Sequence, residues 1–291
     1  MAGPSQYLGM NTPTNQENDV VLRRIRHVRT VDAFKAFAEW AGVPAETAEA
    51  ALVNIQNGSV VALLGSGAQG SGKDSVCPAV FQKIGIEDGV QCRVAHAIRA
   101  EMSQILQIIE ASASVEMATK NVANILHVNE ETAGLYTSLF FESTRNPEHG
   151  INVYERSERM RRALQWHGAE GRADMPNYWV KKTYQAVIPT LAEGRSVYLT
   201  DGRFPGEVDA GRTCAVLCVR LWVPEHIRVQ RILQRDGIVP SEQTLRHPGE
   251  TVLDGYWGLD AEVDNTRGLD ETVAAVANLL LEHRDIMRDI S

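Results

Sequence analysis

The sequence predicts a three-layer α/β fold: a mainly parallel sheet, helices on both faces, a helical insertion between strands and an N-terminal helical extension. Three observations predict it. Short apolar, β-branched-rich runs recur at least five times and are separated by segments of helical periodicity, the pattern of a parallel sheet covered on both sides. A glycine-rich turn follows the first of these runs and an acid ends a later one, both where strand gives way to helix. The 291 residues, 44% hydrophobic, suffice for one large α/β domain or two small ones.

Residues 1–18, rich in Pro, Asn, Gln and Gly, read as a mobile tail. Residues 19–57 form the extension, in which Val31 to Ile55 holds two short amphipathic helices broken at Gly42-Val43-Pro44. Ala48, Ala51, Leu52 and Ile55 stand at helical spacing, suited to packing beside the first strand. This segment reads as a brace appended to the main domain, or as a dimerisation element, so the sequence allows a homodimer. The main domain spans 58–291.

Its first strand is Ser59 to Leu64, with a helix after Lys73 and a second strand at Val90 to Ala95. Met102, Ile105, Leu106 and Ile109 then mark a helix, opening a mainly helical region, about 100–190, dense in Arg, Trp and Tyr. Such a block commonly covers the substrate. Further strands are expected at Ser196 to Thr200, Ala215 to Val223 and Ala261 to Asp264, with Pro224 at the first position of a helix and Asp270 ahead of the closing helix. Ligands of such sheets sit at the carboxyl ends of the strands.

The formal net charge of -8 argues against a general nucleic-acid-coating role, which needs a basic face. Cys77, Cys92, Cys214 and Cys218 lie in apolar segments without paired metal spacing, so they read as reduced core residues; Cys92 and His96 lack the second pair a zinc site needs. No apolar run approaches the ~20 residues of a membrane span, and the first residues lack signal-peptide character. A cytoplasmic protein is expected.

Two segments carry chemistry. Gly67-Ala68-Gln69-Gly70-Ser71-Gly72-Lys73-Asp74 has the spacing of a phosphate-binding P-loop, whose glycines let backbone N–H groups close on phosphate oxygens at a helix N-terminus. Gly67, Gly70, Ser71, Gly72 and Lys73 would form the cradle, with Lys73 reaching the outer phosphates. Asp74 stands where Ser or Thr is usual, and Ser75 follows. In Val197-Tyr198-Leu199-Thr200-Asp201-Gly202-Arg203, an apolar strand delivers Asp201 to its tip, where a carboxylate can hold Mg²⁺ beside phosphates, and Arg203 can bind a phosphate bidentately.

These residues resemble the phage-type deoxynucleoside monophosphate kinases, within the wider P-loop nucleoside monophosphate kinase group. The resemblance rests on Gly72-Lys73-Asp74-Ser75, Ala95-His96-Ala97-Ile98-Arg99, Leu164-Gln165-Trp166-His167-Gly168-Ala169-Glu170-Gly171-Arg172 with Tyr178-Trp179, Asp201-Gly202-Arg203-Phe204-Pro205-Gly206-Glu207, and His247-Pro248-Gly249-Glu250 ahead of Val263-Asp264-Asn265. The blocks occur in the family's order over roughly 58–280. Asp directly after the P-loop Lys is common in this family. Where the family usually has Gly-Thr-Glu and Asn-Glu, this chain has Gly168-Ala169-Glu170 and Gly206-Glu207, which leaves the accepted base open.

The resemblance implies a P-loop kinase fold and in-line transfer of the ATP γ-phosphoryl group to a deoxynucleoside monophosphate, with Mg²⁺ near Asp74, Ser75 and Asp201 and with the protein in the host cytoplasm if phage-encoded. The acceptor phosphate needs no strong base, so arginines carry the rate. Lys73, Asp201, Arg203 and Arg172 are the catalytic candidates; Arg99, Arg162, Arg172, Arg203, Gly168 and Glu170 are placed around the substrate, with Trp166 or Trp179 stacking on its base. Arg228 and Arg231 fall in the lid region, and Asn265 near adenine. Two alternatives stand: a kinase of hydroxymethylated pyrimidine, as monophosphate or in DNA, and a non-catalytic nucleotide-binding module.

Overall fold

The computed structural model describes residues 21–24, 30–126, 129–144, 153–154, 158–175 and 177–290. The tail expected at 1–18 lies outside them. Six strands form one sheet: β1 (Val21–Arg24), β2 (Ala62–Ser66), β3 (Val90–Cys92), β4 (Val197–Gly202), β5 (Leu217–Trp222) and β6 (Ala261–Asp264). Their order is β1-β6-β5-β2-β4-β3, with β6 to β3 all parallel and β1 antiparallel on the β6 edge. The strands expected from the sequence all form: β6 has the expected bounds, and the others differ by up to three residues at their ends.

Side chains alternate across the sheet, as the two-residue pleat requires. Along β2, Ala62 and Leu64 enter one core with Val197 and Leu199 of β4; Leu63, with Val61 just before the strand, enters the other with Leu217, Val219 and Leu221. The first core is closed by α1 (Val31–Ala41), α2 (Ala45–Gln56) and α8 (Tyr178–Ala192), the second by α3 (Lys73–Lys83) and α13 (Leu269–Met287). A helix, sheet, helix sandwich results.

The segment expected as an appended helical extension is neither wholly helical nor appended. It contributes β1, and Phe34, Ala38, Ala51, Leu52 and Ile55 are part of the same core as the central strands. Asn54 Nδ2 donates to the carbonyls of Leu191 (2.9 Å) and Ala192 (3.0 Å), tying α2 to the end of α8. The sequence signal for β1 was only four residues long and lay beside charged residues, so it did not stand out.

Between β3 and β4 run α4 (Val94–Ala111), α5 (Val115–Leu126), α6 (Glu130–Thr144), α7 (Glu158–Asp174) and α8. They have a core of their own around Met102, Ile105, Ile109, Tyr136, Phe140 and Met160. The chain then returns through β4, α9 (Pro205–Thr213) and β5, crossing from one side of β2 to the other. That crossing opens a crevice at the carboxyl ends of β2 and β4. Among the described residues no helix is long and apolar enough to cross a membrane.

Candidate functional site

The loop from Gly67 to Gly72 joins the end of β2 to the start of α3, and its conformation needs glycine. Gly67, Gly70 and Gly72 have φ of 136°, 82° and 93°, in the left-handed region that side chains disfavour. Space is closed as well: a Cβ on Gly70 would lie 2.8 Å from the carbonyl oxygen of Arg228, and one on Gly67 would lie 2.7 Å from that of Leu221.

What holds the loop is a set of donors gripping its carbonyls. Arg228 and Arg231 project from α10 (Glu225–Asp236); Arg228 Nη1 donates to Gln69 O (3.3 Å), and Arg231 Nη1 to Gly70 O (3.4 Å) while its Nη2 donates to Asn265 O (2.8 Å). Asn265, at the end of β6, donates from Nδ2 to Ser71 O (2.7 Å) and accepts from Thr272 Oγ1 (2.7 Å). The arginines expected in the lid region and the asparagine expected near adenine thus contact the loop's backbone. The N–H groups of Ala68, Gly70, Gly72, Lys73 and Asp74 have no protein acceptor among the described residues. Carbonyls tied back and amides left free are what an anion-binding nest requires.

Lys73, on the first turn of α3, is 5% exposed and forms no ion pair among the described residues. Burial lowers its pKa, and the Arg203 charge lowers it further, against the nearby carboxylates of Asp74, Glu250 and Asp201. A buried ammonium without a partner is costly unless an anion arrives to meet it.

Asp74 and Ser75 are both exposed on the same turn. Arg93 Nη2 pairs with Asp74 Oδ1 at 3.3 Å. Arg93 directly follows β3 and is no candidate on its sequence pattern; its position after a strand, at the carboxyl end of the sheet, is the available signal.

Asp201 has a second role. Its Oδ1 accepts from Val94 N (3.1 Å) and its Oδ2 from Ala95 N (2.9 Å), so the carboxylate caps the start of α4 and links β4 to the helical block. Desolvation raises its pKa, outweighing these two amides and the Arg203 and Arg93 charges. Because both oxygens already accept backbone N–H groups, Asp201 fits a metal less well than the exposed Asp74. Among the described residues no cluster of three His, Cys, Asp or Glu side chains is arranged to hold a metal ion.

Arg203 is set by its own helix. Its backbone N–H and that of Phe204 donate to Glu207 Oε2 at 2.7 and 3.1 Å, the capping arrangement that starts α9 with Pro205 at its first position. The Arg203 guanidinium points across the crevice to Glu250 on α12 (Pro248–Thr251). Glu250, from the His247-Pro248-Gly249-Glu250 block, also accepts Gln69 N–H at 2.5 Å. A small cleft here is lined by Ser66, Gly67, Ala68, Gly202, Arg203, Arg220, Gly249, Glu250 and Leu253.

The helical block places the remaining candidates differently. Trp179, expected to stack on a base, is 1% exposed; its Nε1 donates to Gly168 O (2.9 Å), and a Cβ on Gly171 would lie 2.7 Å from that nitrogen. Trp179 is a core residue, and Gly171 lets α7 approach it. Trp166 is half-buried with its ring 4.6 Å from that of Tyr136. Arg99 donates to Val153 O and lies 5.4 Å over the Tyr154 ring. Arg162, Glu170 and Arg172 lie on α7, and their side chains fall outside the described residues. Glu101, on α4, takes a hydrogen bond from Tyr178 OH and lies 3.3 Å from both His167 Nε2 and Lys182 Nζ. Burial pushes its carboxyl up, but His167, Tyr178 and Lys182 together hold it below the usual value. This network joins α4, α7 and α8.

In comparisons with known proteins, no family model and no curated protein matches this chain.

Proposed function

We propose that this protein is an ATP-dependent phosphotransferase whose acceptor is a deoxynucleoside monophosphate. The observation that carries the reading is the Gly67–Gly72 loop: its carbonyls are gripped from behind by Arg228, Arg231 and Asn265, the amides of Ala68, Gly70 and Gly72 have no acceptor among the described residues, and Lys73 is buried beside it without an ion-pair partner among them. The motif resemblance supplies the acceptor class and the phage context.

On this reading the loop amides and Lys73 bind the outer phosphates of the donor. Arg203, from the neighbouring strand end, faces the point where an acceptor oxygen attacks phosphorus in line as the bond to the leaving diphosphate breaks. Mg²⁺, entering with the nucleotide, supplies charge neutralisation and needs only one or two carboxylates; Asp74, exposed on the first turn of α3 with Ser75, suits that part. Positioning and charge carry the rate, with no general base required.

A coupled ADP-release assay across the four normal deoxynucleoside monophosphates and hydroxymethylated pyrimidine monophosphates tests this. Turnover of at least one free monophosphate is expected, falling roughly 100-fold or more in K73A as transition-state charge loses its partner. Absence of turnover on every monophosphate would refute the kinase reading.

A further inference from the structure

The candidate phosphate cradle already touches an anion. Glu250 turns its carboxylate, 7% exposed, so that Oε2 accepts Gln69 N–H from the loop after β2, while Oε1 pairs with the Arg203 guanidinium from the loop after β4. Two donors from separate strand ends thus converge on one pair of oxygens. Backbone amides and arginine hold phosphoryl oxygens in the same way.

A second observation points to a ligand at this place. The hydroxyls of Ser66 and Ser71, both on residues 0% exposed, have no hydrogen-bond partner among the described residues; Ser66 lines the same cleft as Glu250, and Ser71 belongs to the loop. Buried hydroxyls left unpaired are uncommon in a finished site. Lys73 lies near enough for the Glu250 charge to raise its pKa, yet forms no ion pair with it. The surroundings of Glu250 are therefore those of an anion larger and more charged than a carboxylate.

We infer that Glu250 is an internal stand-in for a ligand phosphoryl group: it closes the subsite between Gln69 N–H and Arg203 in the free protein and swings out when a nucleotide polyphosphate enters. The inference rests on the phosphate-binding reading of the loop and adds regulation to it. The carrier is suited to movement. Glu250 sits on the four-residue α12, whose start is held by Gly249 N–H donating to His247 Nδ1 (3.1 Å), within a stretch of turns and short helices, α11 (Glu242–Leu245) among them, between α10 and β6. Displacing Glu250 also frees Arg203, so arrival of the donor readies the arginine on the acceptor side. Competition from the tethered carboxylate lowers apparent affinity by the fraction of molecules held closed.

Calorimetric titration with MgATP and with inorganic tripolyphosphate, on wild type, E250Q, H247A and K73A, tests the gate. E250Q, which keeps the side-chain shape but loses the charge, is expected to bind both ligands roughly three- to tenfold more tightly, and H247A, which loosens α12, to shift the same way. K73A is expected to bind both more weakly. Unchanged or weaker binding by folded E250Q overturns the gate; should E250Q fail to fold, unchanged binding by H247A does so. Binding by wild type that K73A weakens, with no gain in E250Q, removes the gate and leaves the phosphate loop standing. Absence of tripolyphosphate binding in both wild type and E250Q removes both.

Discussion

Replacing Asn265 with Ala separates two roles for one side chain. Asn265 is 4% exposed and bridges Ser71 O to Thr272 Oγ1, two groups that are themselves buried. Thr272 keeps a second acceptor in Gly268 O at 2.9 Å, whereas removal of Nδ2 leaves no side chain to satisfy Ser71 O. An unsatisfied buried carbonyl costs about 2 kcal/mol. For a domain of this size that lowers Tm by about 4–8 °C. With Ser71 O released, the loop amides lose their fixed direction, so N265A should bind MgATP and inorganic tripolyphosphate more weakly by a similar factor, roughly tenfold. Thermal melts and titrations with both ligands measure these effects. If Asn265 instead reads the adenine edge, MgATP binding falls while tripolyphosphate binding is untouched. That outcome, or an unchanged Tm, would refute the buttress.

Other expected outcomes follow from the same geometry. K73M removes a buried, unpaired ammonium whose pKa burial lowers, so it should lose phosphoryl transfer and gain about 1 kcal/mol of stability; a fall in the chemical-denaturation midpoint would contradict this. Asp201 has a folded-state pKa raised by desolvation, so its contribution to stability is present at low pH and is lost as pH rises above the ordinary carboxylate value through the folded one. The Tm of D201N minus that of wild type should accordingly increase from about pH 4 to pH 7; a constant or falling difference would show that desolvation does not dominate. G171A inserts a methyl against Trp179 Nε1 and should cost about 1–3 kcal/mol by pushing α7 from α8. Trp fluorescence and a melt report it, and wild-type behaviour in both would mean that the helices do not approach so closely.

The strands and the glycine loop were legible because their signals are local. Alternating or continuous apolar runs such as Val60 to Leu64 and Leu217 to Leu221 state their own burial, and left-handed backbone at Gly67, Gly70 and Gly72 requires glycine whatever the surroundings. Side-chain roles read from the same residues fared less well. Arg228 and Arg231 fall in the lid region by resemblance, but which atoms they meet depends on how α10 packs against the loop. Trp179 looked like a stacking platform because aromatic residues serve both core and ligand, and only the approach of α7 decides between them. Neither Arg93 nor Glu250 stands out as a site in the sequence, because their partners Asp74 and Gln69 lie 19 and 181 residues away.

By itself the sequence determined the α/β alternation, the position of the glycine turn between a strand and a helix, and the delivery of Asp201 and Arg203 by an apolar strand. Those properties follow from backbone conformation and hydrophobic periodicity, which act over a few residues. Tertiary structure alone decided that the N-terminal segment completes the core, that Asp201 caps α4, and that Glu250 closes on Gln69 and Arg203. Charge pairing and hydrogen bonding depend on distances of a few ångströms between groups far apart in the chain, and strand order sets those distances.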